Sequence, residues 1–172
     1  MKTTKIIKFI QNYKPEKMDE VFMEQAIKLA IEGVLEGNGG PFGAIVVKDG
    51  QVIGTGNNHV TSANDPTAHA EVMAIREACK NLESFQLDGC VLYTSCEPCP
   101  MCLGAIYWAR LDKVYYSATR HMASYHGFDD SFIYNEVNLA FNQRKIPFIQ
   151  VAAQKGIIPF REWEKKENRI DY

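Results

Sequence analysis

Two short stretches, His69-Ala70-Glu71 and Pro98-Cys99-Pro100-Met101-Cys102, constrain this 172-residue chain more than any other feature. Together they offer three zinc-type ligands, His69, Cys99 and Cys102, and a carboxylate, Glu71, with no obvious ligand duty. Three protein ligands leave a tetrahedral zinc one open position for water, whereas a structural site is closed by four. The fold must therefore bring two distant stretches together around one ion. Cys99 and Cys102, three apart in a first helical turn, point their sulfurs the same way. His69 and Glu71, two apart, converge only where His69 stands at the very start of a helix. Asp65-Pro66-Thr67 supplies the cap and turn residues for such a start. Both ligand pairs are thus expected at helix amino ends, whose partial positive charge favours thiolate and hydroxide.

One zinc per chain is the implied cofactor. A zinc-bound water ionises near pH 7, and Glu71 is placed to take its proton, then return one to a ring nitrogen and to a departing amine. The fitting target is an amidine-type ring carbon bearing an exocyclic amino group, as in cytosine, adenine or guanine. A second reading stays open, because Cys96 with Cys99, Cys102 and a remote histidine would make a closed, inert site. That alternative leaves unexplained why Glu71 follows His69 by two and why Pro98 precedes Cys99. His59, His121 and His126 show no metal spacing, and Cys79 and Cys90 sit in apolar surroundings as inert buried side chains.

The length suits one domain. No apolar run approaches the roughly 20 residues that cross a bilayer, and the amino terminus has no signal-peptide core, so a cytoplasmic location is expected. A cysteine cluster in a reducing compartment points to metal rather than disulfides. Residues 1–17 carry five lysines against the single acid Glu16, a balance of +4, so the rest of the chain holds −6 of the total −2. Residues 1–18 read as a basic, solvated extension and 19–172 as the domain. An acidic body argues against an electrostatically driven nucleic-acid binder, and the lack of a long apolar run against a membrane partner.

Helical periodicity predicts a first helix over 19–36, capped by Asp19, with Phe22, Ala26, Leu29, Ala30, Gly33 and Val34 on one face. Residues 42–47 and 52–55 flank Asp49-Gly50, the pair favoured by a type I′ hairpin turn. A helix over 67–81, a buried strand over 90–94, a helix from about 98 through 107 and a strand over 113–117 follow. Beyond Ala118 the signal weakens to a helix over 131–139, a strand over 148–152 and a helix over 159–168. This order suggests an α/β domain, a mixed sheet with helices on both faces.

With these residues in place, the chain resembles the cytidine deaminase-like superfamily of zinc-dependent nucleobase deaminases, over residues 20–118. The resemblance implies a three-layer α/β/α fold with a central five-stranded mixed sheet, His69, Cys99 and Cys102 as ligands, and Glu71 as proton shuttle. Within that superfamily it is similar to the small bacterial guanine deaminases, on Asn57-Asn58, on 64–71, 93–102 and 104–110, and above all on Gly127-Phe128-Asp129-Asp130-Ser131-Phe132-Ile133-Tyr134. The resemblance implies hydrolysis of guanine to xanthine and ammonia. It assigns Asn58 and Asp130 to the purine edges, with Asp130 also assisting proton movement. Ala70, Phe42 and Trp108 would line the ring's site and Tyr172 would close over it. It also implies a homodimer in which residues from about 119 onward complete the neighbour's pocket. Duller duties compete: Asn58 as a cap of the loop after the hairpin, Asp129 or Asp130 as a helix cap, Trp108 as packing. Rival functions are a tRNA adenosine deaminase, a deaminase of another free base, and a non-catalytic zinc-binding module.

Overall fold

The computed structural model describes residues 15–171, and the chain divides into two compact units, residues up to 130 and residues 131–172. In the first unit, α1 (Pro15–Leu35) leads into a hairpin of β1 (Gly43–Lys48) and β2 (Gln51–Asn57). A single-turn helix α2 (Val60–Ala63), α3 (Ala70–Asn81), β3 (Cys90–Cys96), α4 (Pro100–Trp108), β4 (Lys113–Ala118) and α5 (Arg120–Tyr125) follow. Asp49 and Gly50 both have positive φ, 50° and 75°, as the type I′ turn of this hairpin demands.

The sheet has four strands among the described residues, in the order β2-β1-β3-β4, with β1 antiparallel to both neighbours and β3 parallel to β4. The fifth strand expected over 148–152 is not formed. Those residues lie outside regular structure in the second unit, where no described segment pairs with them. A strand alone leaves its N–H and C=O groups without partners, so an apolar, β-branched run does not by itself make one.

Alternation along β1 explains the layers. Ala44 and Val46 face one way, into a core with Ala70, Ala74 and Ala78 of α3 and Ile106 of α4. Ile45 and Val47 face the other way, against Phe22 and Ala26 of α1. With both faces covered, β1 reads as a continuous apolar run rather than an alternating one. Small residues set the helix heights. A Cβ on Gly56 of β2 would run into the carbonyl oxygen of Ala70 and come within 2.7 Å of the Ala74 nitrogen. Only glycine lets α3 lie this close to the strand, and α3 is the helix whose first turn carries Glu71.

Two expectations at the amino end change. Residues 1–14 lie outside the described residues, and the boundary expected between 18 and 19 falls inside α1, which starts at Pro15. Asp19 is therefore no cap. It lies within the helix and its carboxylate accepts a hydrogen bond from the Tyr93 hydroxyl of β3, while Tyr93 stacks on Tyr115 with ring centroids 5.0 Å apart. No helix among the described residues is long and apolar enough to cross a membrane.

The second unit holds α6 (Ser131–Val137), a 3-10 turn (Phe141–Gln143), α7 (Ala153–Gly156) and α8 (Ile158–Glu164). Phe141 and Phe148 stack at 5.4 Å, and the Arg144 guanidinium lies 4.6 Å and 4.9 Å from their centroids. No side chain of its helices is buried, and Ile149 and Val151 are 79% and 80% exposed.

Candidate metal centre and active site

His69 and Cys99 occupy equivalent positions, each the residue that caps a helix start with extended backbone, φ −73° and ψ 152° for α3, φ −68° and ψ 169° for α4. Pro100 takes the first position of α4, where its missing N–H costs nothing. The two helix starts meet at the end of the sheet where β3 finishes. His69 Nδ1 lies 3.5 Å from Cys99 Sγ and 3.5 Å from Cys102 Sγ, and the three donor atoms lie within 4.8 Å of one another. A tetrahedral zinc with nitrogen at about 2.0 Å and sulfur at about 2.3 Å separates those atoms by roughly 3.5 Å. The donor set therefore fits the ion that its chemistry implies.

Cys96 is not part of this cluster. It is buried at the end of β3, its Sγ 3.9 Å from the Thr119 carbonyl oxygen, and burial pushes its thiol up to about 11. The closed reading that used Cys96 as a ligand is excluded by this placement. Cys79 and Cys90 are likewise held up by burial.

Protons are shared unequally within the cluster. Cys99 is drawn down to about 4, first by a hydrogen bond from Cys102 and then by His69. Cys102 is pushed up because it donates that bond and is buried. His69 is raised, chiefly by its bond with Cys99. Cys99 is thus biased towards its thiolate and Cys102 and His69 towards their protonated forms, a set from which a divalent cation expels protons on binding.

Glu71, in the first turn of α3, is 6% exposed. Its Oε2 is 3.4 Å from Cys102 Sγ, which donates to it, and burial raises its carboxyl above the ordinary carboxylate range. A buried carboxyl raised in this way, beside the three donors, can exchange protons with a group bound there.

The other sequence-predicted residues arrange themselves unevenly. Asn58 is buried, and its Oδ1 accepts from the Gly40 N–H at 3.2 Å and the Val60 N–H at 3.1 Å. It is therefore a loop organiser, as the duller reading had it, yet among the described residues its amide N–H groups remain uncommitted. Phe42 is half-buried and meets Phe128 edge-on, centroids 5.0 Å apart. Asp130 is partly buried; burial and then the Cys99 thiolate raise its carboxyl, and it acts electrostatically on His69 in return. Ala70 is fully buried beside His69. Trp108 ends α4, 64% exposed, six residues and about 9 Å along the helix from Cys102. Tyr172 lies outside the described residues.

Phe128 and the short helix before it were missed as site-building parts. A signal existed. Thr119 caps α5, accepting from the Met122 N–H at 3.3 Å, and Gly127 with φ 92° ends it. The Phe128 N–H returns to the Ala123 carbonyl and the Gly127 N–H to that of Ser124, both at 3.0 Å. That is a Schellman stop, read from a threonine and a glycine eight apart.

A mixed sheet with two helix starts converging on His, Cys, Cys and a spare glutamate defines a zinc-dependent deaminase. The family model for the cytidine and deoxycytidylate deaminase zinc-binding region matches residues 16–118, and the chain belongs to this family. The guanine deaminase of Bacillus subtilis (strain 168) is 57% identical over 153 residues, covering 89% of this chain and 98% of its own. Its crystal structure matches with a TM-score of 0.87 over the same shares. A tRNA-specific adenosine deaminase of Aquifex aeolicus (strain VF5) is 44% identical over 99 residues, 58% of this chain and 65% of its own. A guanine deaminase structure from Nitrosomonas europaea is 33% identical, with a TM-score of 0.62 and 64% of each chain covered.

Proposed function

We propose that this protein hydrolyses guanine to xanthine and ammonia, a step of guanine breakdown. The observation that carries the reading is the three-donor cluster with a separate, buried Glu71, in a chain similar over 89% of its length to a guanine deaminase. His69, Cys99 and Cys102 would hold the zinc, which would supply a Lewis acid to acidify the attacking water. Glu71 takes the proton of that water and gives one to the ring nitrogen beside C2, leaving a tetrahedral carbon. It then takes up the remaining proton of the C2 hydroxyl and delivers it to the exocyclic nitrogen, so that C2=O forms as the C2–N bond breaks and ammonia leaves. Asn58 donates through its uncommitted amide to a purine acceptor, O6 or N7. Asp130 accepts from a purine N–H and assists proton movement. Ala70 offers a first-turn N–H without an intrahelical partner, Phe42 and Trp108 wall the ring, and Tyr172 closes over it.

Similarity to the tRNA deaminase of Aquifex aeolicus covers only 58% of the chain, and the body outside residues 1–17 is acidic. Both favour a free base over RNA. We take the protein to be cytoplasmic and a homodimer in which the second unit completes the neighbour's pocket. The many exposed apolar side chains of that unit support this arrangement. Ammonia release from guanine, adenine, cytosine, guanosine and a tRNA anticodon hairpin tests the reading. Guanine alone is the expected substrate, and preference for the hairpin or for adenine overturns it. Sedimentation equilibrium tests the dimer, with a single monomeric species as the contrary result.

A further inference from the structure

Residues 96–99 do two jobs in four positions. Cys99 delivers a metal-binding sulfur, and the residues just before it grip the chain where it leaves β4. The Glu97 N–H donates to the Ala118 carbonyl at 2.8 Å. Its Oε2 accepts from the Arg120 N–H at 3.0 Å in a partly buried setting. Cys96 Sγ reaches the Thr119 carbonyl at 3.9 Å. Arg120 opens α5, Thr119 caps it, and the Schellman stop at Gly127 fixes how the chain leaves. From that exit Phe128 meets Phe42 edge-on, and Asp130 follows two residues later.

We propose that Glu97 is a positioning residue: through the start of α5 its carboxylate sets Asp130 against the metal ligands. This rests on the reading that Asp130 serves the substrate. The metal-binding loop and the segment bearing Asp130 are thereby referred to one side chain rather than to two independent loops. The Arg120 side chain, on the residue that Glu97 holds, also acts electrostatically on Asp130. A misplacement of about 1 Å at a reacting group costs up to roughly 10²-fold in rate, so a loose α5 shows in turnover while the zinc ligands are untouched.

A double-mutant cycle on the zinc-loaded, full-length protein tests this, with guanine as substrate. Glu97→Ala is expected to lower kcat about tenfold with KM changed less and zinc still at one per chain. Glu97→Gln, whose amide oxygen accepts the same N–H, is expected to restore kcat to within about threefold. In an Asp130→Asn background, Glu97→Ala is expected to add less than about a twofold further loss, because both act through one group. A residue that merely caps α5 lowers the melting temperature and leaves kcat alone, or multiplies its loss onto that of Asp130→Asn. Either result overturns the proposal and leaves the role of Asp130 standing. Full activity in Asp130→Asn overturns the proposal and the Asp130 reading together. If Glu97→Ala does not fold, Glu97→Asp, which keeps the charge and shortens the reach, decides by the same comparison.

Discussion

Replacing Glu71 by Gln should move activity and stability in opposite directions. The side chain is 6% exposed, and its carboxyl is raised chiefly by burial. A carboxyl raised in the folded state makes the protein lose stability as pH climbs from the unfolded value of 4.5 through the folded one, since the unfolded chain gives up its proton first. Above that window the ionised form is a standing cost. The amide is isosteric, keeps an oxygen to accept from Cys102 and carries no charge. Metal-free Glu71→Gln protein should therefore be more stable at neutral pH by about 1–3 kcal/mol, or roughly 2–4 °C in Tm for each kcal/mol, and its stability should no longer fall with pH across that window. Turnover should fall by at least about 10²- to 10⁴-fold, the usual contribution of one general acid–base group, with zinc retained. Ammonia release, zinc analysis and thermal melts of chelator-treated protein check all three. Wild-type turnover, or a less stable metal-free variant, would refute the reasoning.

Gly56→Ala forces a methyl group into the Ala70 carbonyl; a loss of about 1–3 kcal/mol or more in denaturant unfolding is expected, with weaker zinc binding because His69 and Glu71 flank Ala70. Zinc binding near pH 7.5 should release at least one proton per ion, since Cys99 is already drawn down to about 4 while Cys102 holds its proton. Calorimetry in buffers of different ionisation enthalpy reads that number, and zero protons contradicts the assignment. Tyr93→Phe removes the hydrogen bond to Asp19 and should cost about 1 kcal/mol of stability with no change in kcat/KM for guanine.

What could be read without coordinates was whatever local chemistry decides. Asp49-Gly50 announced its turn because few pairs tolerate two positive φ angles. His69 and Cys99 announced helix starts because two ligand pairs spaced two and three apart converge only there. Long-range contacts were illegible. Asp19 looks like a cap, yet it serves Tyr93, 74 residues away. Helix α5 has only six residues, too few for a 3.6-residue period to appear. Phe148–Ala152 has strand-like composition, but pairing depends on a partner that local composition cannot specify. Asn58 was ambiguous for a similar reason: an amide that organises a loop and one that faces a ligand look alike in sequence.

Loss of the amino group from guanine depends on the three-donor zinc position. The most direct test of this dependence is ammonia release from guanine by chelator-treated protein as zinc is added back. Activity near zero without metal, rising linearly and breaking at one zinc per chain, is expected. Undiminished release from protein shown to be metal-free, or a saturated zinc site that leaves guanine unchanged, would contradict it.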